Sequence, residues 1–105
     1  MIKKLPYRIR FAPKKGYGVN LVSGFPEDLD GSCNPNTQEI KIKGEMGEKR
    51  TLAALTHEII HLISFEWNLS LTESQVLGLE EGLLKILELN PKYRKLIADI
   101  LGRKR

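Results

Sequence analysis

A single cysteine, Cys33, excludes an internal disulfide, so no covalent staple holds this chain, and that economy fits a reducing compartment. No apolar run approaches the roughly 18 residues that a membrane-spanning helix requires. Met1-Ile2-Lys3-Lys4-Leu5-Pro6 lacks the apolar core of a secretion signal, so a cytoplasmic location is expected. Repeats, low-complexity segments and linkers are also missing. With 105 residues, 41% of them hydrophobic, the chain reads as one domain, 1–105, with room for one modest core. Aromatic residues make up only 7%, and the 29% of charged residues are mostly Lys and Glu with few Gln, a composition consistent with a thermophile source. The formal net charge of +4 raises nucleic acid as a partner. The cations are scattered, however: Lys3, Lys4, Arg8, Arg10, Lys14 and Lys15 lie near one end and Arg103 to Arg105 at the other. A basic nucleic-acid-binding module therefore stays a minor alternative.

Histidine is equally scarce, and both copies stand in one pentapeptide, His57-Glu58-Ile59-Ile60-His61. Residues four apart share a helix face, with Cβ atoms about 5–6 Å from each other, so two imidazoles at this spacing can bind one ion. Zinc suits such ligands. Glu58, next to the first histidine, is placed to act as general base toward water. From Glu48 to Trp67 the segment EKRTLAALTHEIIHLISFEW carries Leu52, Leu55, Ile59, Leu62 and Ile63 at helical spacing, which predicts a helix over about 48–67 with the motif inside it.

A catalytic zinc site normally has three protein ligands, so an acid or Cys33 must supply the third. Beside Asn34-Pro35, Cys33 reads as a loop residue, with a role as a latency ligand the alternative. After a break at Asn68 to Leu71 a second amphipathic helix is expected over about 71–89. Its stripe of Val76, Leu77, Leu83, Leu84 and Leu87 also holds Glu73 and Glu80. Acids on an apolar stripe need a partner. Glu81 lies about 100° further round, with Lys85 four residues on, and reads as a solvated surface pair. An extended link of about five residues, roughly 16 Å, would return the chain to the level of His61 and set Glu73 beside the ion. Glu80 needs a longer overlap. Glu73 has an alternative as the last member of a capping box, Ser70-x-x-Glu73, and Glu80 has one as the acid that orients a ligand histidine.

Upstream, YRIRFA over Pro6 to Ala12, Tyr17 to Val22 and Thr37 to Lys43 read as three strands within about 5–44, forming a small antiparallel sheet. The intervening SGFPEDLDGSCNPN reads as a surface loop that walls the cleft, and Gly44 to Gly47 leads into the motif helix. Downstream, Asn90 as N-cap and Pro91 at the first helical position open a third helix. Tyr93, Leu96, Ile97, Ile100 and Leu101 share one face, Gly102 ends it, and the segment 90–105 closes with a basic tail.

HEIIH followed by an acid-bearing helix resembles the gluzincin metallopeptidases, whose third zinc ligand is a glutamate on a separate helix. TLAALTHEIIHLISFEWNLSLTESQV, together with the length, looks like the minigluzincins, minimal soluble members of that group. The specific part of the likeness covers residues of about 38–84. It implies an α+β minimal zincin that hydrolyses peptide bonds, with zinc as cofactor and His57, His61 and a glutamate as ligands. The pattern Glu-x-x-(Ala/Val)-x-x-Leu maps onto Glu73, Val76 and Leu79 and favours Glu73. The eighteen-residue spacing of aminopeptidase-like gluzincins falls on Glu80 instead. Thermolysin-like members carry an Asp four residues after the ligand Glu, where this chain has Leu77. The likeness further implies that the last strand is an edge along the cleft, pairing with substrate at Gln38, Ile40 and Ile42, and that the C-terminal segment holds the enzyme as a latent zymogen. Tyr93 and Tyr17 are candidates to stabilise an oxyanion. The competing reading is a non-catalytic zinc-binding module.

Overall fold

Ile9, Phe11, Tyr17 and Val19 point one way along two pleated strands and Arg8, Arg10 and Gly18 the other, so that pair can bury only one face. A computed structural model describes residues 5–26 and 28–103 and bears out the α+β class. β1 (Arg8–Ala12), β2 (Lys15–Val22), β3 (Gly31–Asn34) and β4 (Glu39–Lys43) precede α1 (Glu48–Glu66), α2 (Glu73–Leu89) and α3 (Pro91–Leu101). Lys3 and Lys4 of the N-terminal basic group, and Lys104 and Arg105 of the tail, lie outside the described residues.

The sheet differs from expectation in two ways. It has four strands rather than three, in the order β1-β2-β4-β3, and it is mixed, with β2 and β4 parallel and the other pairs antiparallel. The extra strand is GSCN, inside the segment read as a loop. Cys33 is therefore a half-buried strand residue facing the core. After β2 the chain crosses to the far side, runs back as β3 and turns at Asn34 to Gln38 into β4, which slots between β2 and β3. Asn34 Oδ1 accepts from the N–H groups of Asn36 and Thr37 in that turn.

This topology corrects the expected edge. β4 is central, and Ile40 and Ile42 are fully buried in register with Val19 and Leu21 on one side and Cys33 and Gly31 on the other. Gln38 sits at φ 54° in the turn, where its carbonyl accepts from Gly18 N–H at 2.9 Å. None of the three is free to pair with a substrate. The open edge beside α1 belongs to β3.

Against the inner face of the sheet, Ala54, Leu55 and Leu62 of α1 join Tyr17, Val19, Ile40, Ile42 and Met46 in one core. Leu52 and Ile63 of the expected stripe are instead exposed, because Thr51, Glu58 and Ser64 take inward positions. The phenol of Tyr17, with no exposed surface, donates to Glu66 Oε2 at 2.6 Å, and its ring meets Phe11 edge-on, which removes it from any oxyanion role. Burial first, and the Glu66 carboxylate second, push its ionisation far above the usual tyrosine range.

Candidate metal centre

α1 ends at Trp67, and the link to α2 is built on one buried hydroxyl. Ser64 accepts Leu69 N–H at its carbonyl (2.8 Å) and Leu71 N–H at its Oγ (2.9 Å), while Asn68 and Ser70 take left-handed φ values of 57° and 54° to make the reversal. Thr72 then caps α2. Its Oγ1 accepts from Gln75 N–H, and the Gln75 side chain returns a bond to Thr72 N–H. The capping box is thus Thr72-x-x-Gln75 rather than Ser70-x-x-Glu73, so Glu73 is released from capping and stands at the first turn of α2, facing α1.

There the carboxylate meets both histidines. Glu73 Oε1 lies 2.5 Å from His57 Nε2 and Oε2 lies 3.0 Å from His61 Nε2. One donor atom each from His57, His61 and Glu73 falls within 4.8 Å of the others, so this group can hold a metal ion. At bond lengths of about 2.0–2.2 Å the donors around one ion sit roughly 3–4 Å apart, and the exposed Glu73 side chain closes that difference by rotation. On the opposite ring nitrogen, His57 Nδ1–H donates to Glu80 Oε1 at 2.9 Å, which orients the ring and leaves Nε2 toward the cleft. Glu73 thus belongs to the group that could hold an ion, while Glu80 contacts His57 on the other ring nitrogen. Burial alone would lower the His57 pKa, but hydrogen bonds to Glu80 and Glu73 and the nearby carboxylate charges outweigh it, and the net shift is upward.

Glu58 turns the other way, into the space between α1 and β3, and is only 6% exposed. Burial raises its carboxyl to about 7. The imidazole of His57 opposes that rise, while Glu73 and Glu80 add to it. Gly31 makes the arrangement possible: a Cβ there would lie 3.2 Å from Glu58 Cγ and 3.0 Å from the Lys41 carbonyl. Burial, then the charges of Glu58 and Glu66, also lifts the Cys33 thiol to about 11, so it stays protonated and unreactive at neutral pH.

These groups line an open cleft of about 630 Å³, bounded by Asp28 to Gly31 on one side and by α1 and α2 on the others. The sequence reading did not include Arg50, whose guanidinium forks onto Asp30 at 2.7 and 2.9 Å and ties the start of β3 to α1. The spacing carried the signal, since Arg50 lies seven residues, two helical turns, before His57. Ser64, three residues after His61, had the same kind of signal. Glu81 is exposed as expected, but Lys85 pairs with Glu88 at 3.3 Å. Neither Tyr93 nor any other residue of α3 lines the cleft. Comparison with protein-family models, with curated proteins and with solved structures gives no match to this chain.

Proposed function

We propose that this chain is a zinc-dependent metallopeptidase of minimal size, akin to the minigluzincins, with His57, His61 and Glu73 as ligands and Glu58 as general base. The observation that carries this reading is the convergence of three donors from α1 and α2 in a cleft that Glu58 also lines. Two imidazoles and a carboxylate are the donor set of a catalytic zinc site, and the ion would supply Lewis-acid polarisation of the scissile carbonyl. The chain's own residues do the rest. Glu80 holds the His57 ring through Nδ1. Glu58 takes a proton from the attacking water and returns it to the leaving amine. The unpaired edge of β3 gives a peptide backbone a strand to pair with, and the Arg50–Asp30 fork fixes where that strand begins. By the same resemblance, the segment after α3 is proposed to keep the full-length chain latent.

The test is hydrolysis of an unstructured peptide or casein by the zinc-loaded protein and by Glu58→Gln. The reading expects cleavage that disappears in the variant while bound zinc stays stoichiometric. If every form of the chain, truncated ones included, binds zinc and cleaves nothing, the site is a non-catalytic zinc-binding one.

A further inference from the structure

Although the cations are scattered, the net excess of positive charge falls in the last 14 residues. Residues 92–105 hold six of its 17 Lys and Arg but one of its 13 acids, a net +5, and the other 91 residues sum to −1. The same segment contains α3, a helix in which no residue is buried. Its apolar side chains Tyr93, Leu96 and Ile100 lie on one face and are each about half exposed, at 48%, 53% and 48%. Leu101, at 79%, and Leu89, at 67%, extend the patch at the two ends of the helix.

The cations around this patch differ in how they are engaged. Lys95 pairs with Asp99 at 2.7 Å, and Arg94 Nη1 donates to the Leu87 carbonyl at 3.0 Å, closing the end of α2. Lys92 and Arg103 form no ion pair among the described residues. On a helical wheel Lys92 falls about 70° from the centre of the apolar face, where a lysine can keep its ammonium at a surface while its stem lies along the apolar side.

We infer that the exposed face of α3 is a docking surface for an anionic phospholipid bilayer, on which the helix lies in the plane of the interface. Tyr93, Leu96 and Ile100 would enter the boundary between headgroups and acyl chains, with Lys92 and Arg103 on lipid phosphates. Two complementarities favour this occupant. The basic charge matches an anionic surface, and the apolar stripe between the cations needs a non-aqueous phase that a nucleic acid does not offer. An 11-residue helix about 16 Å long is too short to span a bilayer but can lie upon one.

The test is co-sedimentation of the intact chain with vesicles of phosphatidylcholine alone or mixed with phosphatidylglycerol. Binding is expected to the mixed vesicles only, weakening as salt rises. The exposed-site variant Leu96→Glu/Ile100→Glu should reduce partitioning by roughly a hundredfold, and Lys92→Glu/Arg103→Glu by roughly tenfold or more, with melting temperature and bound zinc unchanged in both. Three results would overturn the inference. The intact chain could remain in the supernatant with mixed vesicles. The apolar variant could bind undiminished, which would make the surface a purely electrostatic one suited to nucleic acid. Or the chain could be dimeric by light scattering and become monomeric in Leu96→Glu/Ile100→Glu, in which case a second copy covers the face.

Discussion

Glu80 and Glu73 grip the same imidazole from opposite sides, Glu80 at Nδ1 of His57 and Glu73 at Nε2. Two acids seven residues apart on one helix thereby take different jobs, since only the Nε2 side opens to His61. Glu73→Ala should lose most zinc affinity, Glu80→Ala should lose about ten- to a hundredfold, and Glu81→Ala should match the parent. Competition with a chromophoric chelator gives the ranking. If Glu80→Ala were the weakest binder, the two roles would be exchanged.

The buried carboxyl of Glu58 sets a pH dependence in the metal-free protein. Its pKa is about 7 folded against an ordinary 4.5, so between those values the folded chain binds more protons than the unfolded one. Stability from this group is therefore full below about pH 4.5 and declines as pH rises through 7. The loss is on the order of 3 kcal/mol. Chelator-treated protein should melt lower at pH 8 than at pH 5.5, and Glu58→Gln should remove most of that difference. An unchanged slope in the variant would show that another group is responsible.

Gly31 is the point where β3 rests on Glu58. In Gly31→Ala the new methyl would meet the Lys41 carbonyl at 3.0 Å and Ile42 Cδ1 at 3.1 Å as well as Glu58. Overpacking of this kind costs about 1–3 kcal/mol. The strand must retreat from α1 or the carboxyl must move, so peptide hydrolysis should fall further than the thermal shift explains. Chemical denaturation and initial rates on the same samples measure both.

Latency through the C-terminal segment predicts that cutting the chain after Leu101 raises the peptidase rate. That cut leaves the whole of α3 in place. Removal of everything after Leu89 should do the same if the shortened protein stays folded and zinc-loaded. Equal rates for intact and truncated chains, all folded and carrying zinc, would dismiss self-inhibition.

The candidate metal group of this protein was more legible in its sequence than its topology. His57, Glu58 and His61 sit on one helix, so covalent spacing alone defines their relation. Glu73 and Glu80 are set relative to the histidines by the path of residues 68–72, and that path depends on left-handed Asn68 and Ser70 and on Ser64, none of which shows in hydrophobic periodicity. β3 escaped because Gly31-Ser32-Cys33-Asn34 has neither alternation nor β-branched residues, and it becomes a strand only by pairing with β4. The resemblance implied that β4 is an edge, and β3 occupies the place that would have left it one. The alternative capping box at Ser70 lies two residues before the cap that forms, Thr72; both residues are good candidates, and the backbone turn decides between them.

α2 carries two site acids, yet it is lightly held. Only Val76 of its 17 residues is buried, and Gly78 and Gly82 face open space, each costing the helix about 1 kcal/mol relative to alanine. The sheet and α1 thus form one cooperative unit, while α2, with α3 behind it, is a second that can come away by sub-global opening well below the full unfolding free energy. An ion shared by His57, His61 and Glu73 would span that seam. Its binding energy would appear mainly as slowed amide exchange in α2, with little change in the sheet. Metal occupancy would then govern how long the two halves of the cleft stay together.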